Sequence, residues 1–160
     1  MTLPRFIQQP GPSPPDRLVA VECRGRRFIL TLEPGLLLLD AVQKGFAEHG
    51  FESGVVELKD VALSSFAYVM PALSKTPANA AFYSKPFKPA GVTRITSGAI
   101  TFGRRDGAPF FHCHAVWQEA DGKVSGGHIL PDGSIVTERV SVTALGLDGA
   151  VFEADRKSVV

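Results

Sequence analysis

Phe110-Phe111-His112-Cys113-His114-Ala115-Val116-Trp117-Gln118, followed by Asp121-Gly122-Lys123-Val124-Ser125-Gly126-Gly127-His128-Ile129-Leu130, is the stretch whose reading decides the fold. Both runs are β-like, and an Asp-Gly between two such runs is the strongest short hairpin signal a sequence carries. The same stretch holds three of the chain's four histidines. Residues two apart on a strand share a face and lie about 6 to 7 Å apart. His112 and His114 therefore form a two-toothed chelate, and Cys113 points to the opposite face.

Whether His128 joins them depends on register, because a one-residue slip turns every side chain to the other side of the sheet. A three-residue loop, Asp121 to Lys123, sets His128 opposite Val116 and diagonal to His114, on the chelating face. A two-residue turn does not. Gly126-Gly127 could supply a bulge or permit close backbone approach. Three imidazoles suit an open zinc site, since zinc takes imidazole nitrogens at about 2.0–2.1 Å, although isolated histidines are commonly ordinary surface or core residues.

The motif aromatic-His-x-His, then Asp-Gly-x-Val-x-Gly-Gly-His-Ile-Leu, resembles the signature of the PPC domain, the plant and prokaryote conserved domain that follows AT-hooks in plant nuclear proteins. Ile95-Thr96-Ser97-Gly98-Ala99-Ile100 resembles the family's glycine-bearing strand, Gly133 to Leu145 its closing strand, and Pro34 to Gly50 its single long helix. The likeness covers roughly residues 17 to 147. The chain departs from the family at Leu36-Leu37-Leu38-Leu39, where members often carry an acidic pair, and in a long proline-bearing loop from Pro71 to Asn79.

The resemblance implies an α/β domain of α+β type, a mostly antiparallel sheet with one long helix, assembled as a homotrimer. It implies a metal site, zinc or another divalent ion, held by His112, His114 and His128. It also implies a DNA-binding or regulatory role. The alternative is a zinc-dependent enzyme acting through a metal-bound water on a small-molecule substrate, so whether the chain is an enzyme stays open, as does a small-molecule ligand. His49 has no place in the motif and belongs near the helix end, where the carbonyl-rich terminus favours a partly charged imidazole.

With 160 residues, 44% of them apolar and 21% charged, the chain is long and apolar enough for one core. The arrangement expected is a flexible proline-rich arm over residues 1–15, the domain over 16–150 and a tail over 151–160. A net charge of +1 argues against strong DNA binding by this chain alone. Arg24-Gly25-Arg26-Arg27 approaches an AT-hook core but has Arg27 in place of the proline, and Arg104-Arg105 before Asp106-Gly107 reads as a hairpin turn. Cys23 and Cys113 form no paired motif and read as core thiols of a cytoplasmic protein. No apolar run approaches the ~20 residues that span a bilayer, so no membrane partner is expected.

Strands are expected from Leu18 to Leu32, Gly54 to Leu58, Val61 to Met70, Asn79 to Tyr83, Val92 to Phe102, Pro109 to Gln118, Val124 to Leu130 and Ser134 to Leu145. No phosphate loop, nucleophile elbow or His-Glu-x-x-His helix is present. Glu119, Asp121 and Glu138 are the acidic groups nearest the histidines in sequence, and their facing is not fixed by it.

Overall fold

The computed structural model describes residues 20–73 and 81–154. The arm over 1–15, the start of the first strand at Leu18, most of the proline-bearing loop and the end of the tail lie outside these residues. Among those described, the elements are β1 (Arg24–Leu32), α1 (Leu38–Glu48), β2 (Gly54–Leu58), β3 (Val61–Ser64), β4 (Tyr68–Val69), β5 (Pro71–Leu73), β6 (Ala81–Tyr83), β7 (Thr93–Arg105), β8 (Ala108–Gln118), β9 (Val124–Ile129), β10 (Ile135–Val136) and β11 (Val140–Asp148). The main sheet runs β1-β11-β2-β7-β8-β9-β4, with β3 beside β7 and β10 beside β3. Every pairing between these strands is antiparallel, as the regular turn signals imply.

The expectation of one long helix is corrected. The helix has 11 residues, because the chain before it is engaged in pairing with β10. Gly35 N–H donates to Val136 O at 2.8 Å, and Leu36 O accepts from Val136 N–H at 2.9 Å. Gly35 also takes a positive φ of 84°, which no helical residue adopts. At the other end Gly50 (φ 78°) donates to Ala47 O and Phe51 donates to Phe46 O, the paired bonds of a Schellman stop.

Leu38, Ala41, Val42, Gly45 and Phe46 form the buried stripe of α1. They share one core with sheet residues Leu30, Val56, Ile100, Phe111 and Cys113. On β8 the alternation is strict: Phe111, Cys113, Ala115 and Trp117 are buried, while His112, His114 and Val116 lie on the other face. Asp106-Gly107 makes the two-residue turn its sequence implies, both residues having positive φ (55° and 77°). The strand expected from Val61 to Met70 is broken at Ser65, whose φ is 49°. Cys113 is a core thiol, but Cys23 is exposed, a correction to the reading of both as core residues.

Beyond β11 the chain returns to the sheet. Arg104 N–H donates to Phe152 O at 2.9 Å, Ala154 N–H donates to Arg104 O at 2.8 Å, and Phe152 N–H donates to Ser53 Oγ at 2.8 Å. The Arg104 guanidinium also pairs with Glu52. No helix among the described residues is long and apolar enough to cross a membrane.

Gly54 sits in close approach to both β11 and α1. A Cβ there would collide with the Leu145 carbonyl oxygen and lie 2.6 Å from the Phe46 ring. Since the obstacle is backbone, Gly54→Ala should destabilise the fold by about 2 kcal/mol or more, read as a lowered urea midpoint. An unchanged or raised midpoint would contradict this packing.

Candidate metal site

The β8–β9 hairpin closes through Glu119 to Lys123. Gln118 pairs with Val124, Glu119 N–H donates to Lys123 O at 2.8 Å, and Gly122 takes φ 89°. The resulting register puts His128 directly opposite His114, not opposite Val116 as expected. The difference is two residues, and an even shift preserves the face. Gly126 and Gly127 produce no bulge within this pairing. Gly127 instead permits close approach, since a Cβ there would lie 3.1 Å from Val69 O and 2.8 Å from Met70 Sδ. That closeness lets β4 pair with β9, Val69 opposite His128.

The three imidazoles converge. One ring nitrogen from each of His112, His114 and His128 lies within 4.8 Å of the others. His128 Nδ1 and His114 Nε2 are 3.3 Å apart. Two nitrogens bound to one tetrahedral ion at about 2.0–2.1 Å are themselves roughly 3.3 Å apart, so this pair already has chelating spacing. The His112 ring stacks on His114 (centroids 4.8 Å, 21° between planes) and meets His128 edge-on at 4.7 Å. Tyr83 packs against His128 with centroids 5.4 Å apart.

Burial lowers the pKa of His112, with the His114 and Arg105 charges adding to the effect. His128, buried against β4, is pushed down to about 4, first by burial and then by the His112, His114 and Arg105 charges. Neutral imidazole is the form that binds metal, so two of the three groups are held ready for it. Cys113 lies on the far face, and burial raises its thiol to about 12, which removes it as a thiolate ligand.

The acidic groups near the hairpin are engaged elsewhere. Glu119 accepts from Ser125 Oγ at 2.8 Å, Asp121 Oδ1 accepts from Lys123 N–H at 3.0 Å, and Glu138 pairs with Arg94 at 2.8 Å. His49 lies apart from the three, capping α1 with Nδ1 2.9 Å from Gly45 O and stacking on Phe28 at 4.2 Å. The sequence reading missed Arg105 and Tyr83 as neighbours of the site. Arg105 was within reach of it, since a two-residue Asp106-Gly107 turn sets Gly103 opposite Phe110 and so places Arg105 on the face of His112.

Residues 20–147 match the Plants and Prokaryotes Conserved (PCC) domain. The chain belongs to that family, the PPC family of the sequence resemblance. Its fold is similar to that of a plant- and prokaryote-conserved protein from Pyrococcus horikoshii (TM-score 0.64, 18% identity, 88% of this chain and 93% of that one). A metal-containing protein from Archaeoglobus fulgidus is equally close in fold (TM-score 0.63, 22% identity, 88% and 94%). A candidate DNA-binding protein from Ralstonia eutropha is more distant (TM-score 0.53, 13% identity, 78% and 80%). No curated protein matches the chain.

The depressed imidazoles set a pH dependence for the metal-free protein. The unfolded chain takes up protons near pH 6.5, while folded His128 resists them to about 4. Stability from this source is therefore complete above about pH 6.5 and is lost as pH falls toward 4. His128→Gln should flatten the decline in urea midpoint between pH 7 and pH 5 relative to the parent. Parallel declines in the two proteins would contradict the depressed value.

Proposed function

We propose that His112, His114 and His128 of this PPC domain hold one divalent ion, zinc in the first place, within a homotrimer that serves a regulatory or DNA-linked role. The observation that carries this reading is the convergence of three imidazole nitrogens within 4.8 Å on one sheet face. An all-imidazole donor set suits zinc, and also nickel or iron according to supply. The metal-containing relative from Archaeoglobus fulgidus supports it. A bound ion would act here as a Lewis acid on an oxygen ligand or as a staple between β8 and β9. The chain's own residues present ring nitrogens, two of them on imidazoles that resist protonation, hold them in register through the ladder, and keep Cys113 away.

The homotrimer draws support from the same face. Ile29 (61% exposed), Val55 and Val116 (45% exposed) lie on it with His112 and His114, carried there by the register of β1, β11, β2, β7 and β8. Apolar side chains gathered on one open sheet face suit burial against a second copy. The DNA-linked role draws on the candidate DNA-binding relative. With a net charge of +1, and with the Arg26 guanidinium donating to His49 O at 2.7 Å and lying over the Phe51 ring, phosphate contact from this chain is weak. Free thiols at Cys23 and Cys113 fit a cytoplasmic setting.

A second reading, metal-dependent chemistry on a small molecule, is favoured by one observation: a cavity of about 640 Å³ opens beside His128. Glu119, Asp121 and Glu138 do not serve it as a base in this arrangement, each being bonded elsewhere.

His114→Ala should abolish stoichiometric zinc in purified protein, measured by elemental mass spectrometry, while circular dichroism stays that of the parent. Retained zinc would sink the ligand assignment. Light scattering should give three times the 17.1 kDa subunit mass for the parent and a smaller species for Ile29→Glu. A monomeric parent at micromolar concentration would overturn the trimer.

A further inference from the structure

The cavity beside His128 has two unlike parts. Leu39, Val69, Phe110 and Leu130 give it apolar walls, and Arg105 stands with His128 in its lining. The Arg105 guanidinium carbon lies 3.6 Å above the Phe110 ring, a cation–π contact that seats the head group at the cavity rim although the residue is exposed. Its strand position places it on the face of His112, and its charge reaches both His112 and His128. A guanidinium has five N–H donors in a fixed fork that matches the paired oxygens of a carboxylate or phosphate. Asp132 also lines the cavity, and both it and Arg105 are exposed, so water screens each charge; Arg105 differs in being seated on the Phe110 ring.

We infer that this cavity binds a small organic anion, its oxyanion head on Arg105 and its apolar body against Val69, Phe110 and Leu130, beside the ion held by the three histidines. The inference rests on the metal reading above for its second positive charge. A guanidinium seated at the cavity rim and a divalent ion beside it repel cations and concentrate anions. A neutral apolar molecule would cover Arg105 and leave its donors without acceptors. Pro109 and Pro131 extend the apolar lining, so a ring or short hydrocarbon suits the body better than a sugar.

The test is calorimetric titration of zinc-loaded, full-chain protein with benzoate, phenyl phosphate and benzamide, three probes that share a ring and differ in head group. At least one oxyanion should bind saturably at one site per chain, and benzamide should bind at least about tenfold more weakly. Tighter benzoate marks a carboxylate site, and tighter phenyl phosphate a phosphate site. Arg105→Gln should weaken the favoured anion by about tenfold with zinc content and circular dichroism unchanged, and Arg105→Lys should recover part of the loss. Equal binding of benzamide, no binding of any probe, or an Arg105→Gln protein with parental affinity would overturn the inference. Zinc content is measured separately, so the two readings fail separately. A parent without zinc would sink the metal reading, while anion binding that depends on Arg105 in that protein would still support the cavity assignment.

Discussion

The pairing of His114 with His128 across β8 and β9 is the constraint on which the site depends. One backbone ladder decides that the two imidazoles face each other, and the two-residue period of β8 then brings in His112 on the same side. The hairpin is itself held by what lies around it: β7 pairs along β8, and β4 reaches β9 because Gly127 has no side chain to keep it away. The opposite face of β8 belongs to the core. Phe111, Cys113 and Trp117 anchor the strand there, so a one-residue slip would expose them and bury the histidines at once.

Electrostatics follow from that placement. Burial first, and then the charges of neighbouring imidazoles and of Arg105, disfavour protonation of His112 and of His128, the latter on the strand paired with β4. Such a cluster is costly when charged and well suited to a cation when neutral. Arg105 belongs to the same arrangement for a different reason: the positive φ at Asp106 and Gly107 turns the chain within two residues and holds the arginine at the end of β7 nearest the cavity.

Much of this was legible in the order of residues. Alternation of Phe111, Cys113, Ala115 and Trp117 with His112, His114 and Val116 assigns faces on β8 directly, and Asp-Gly between β-like runs locates the hairpins. What alternation cannot supply is register beyond parity, which is why a three-residue loop places His128 opposite Val116 when the sequence alone is read. The turn that decides it depends on Gly122 in the left-handed region and on the Glu119–Lys123 backbone bond. The helix is shorter than its sequence implies for a related reason. Pro34 looks like a helix start, but the chain through Leu37 pairs with β10, about a hundred residues later, and no local pattern signals so distant a partner.

X-ray absorption spectroscopy of the zinc-loaded protein tests the central claim most directly, because it counts and identifies donors without requiring a variant. Three imidazoles predict a nitrogen and oxygen shell at about 2.0–2.1 Å, with the outer-shell scattering of three rigid rings. A sulfur shell near 2.3 Å, or ring scattering from fewer than three imidazoles, would contradict the assignment of His112, His114 and His128 as one site.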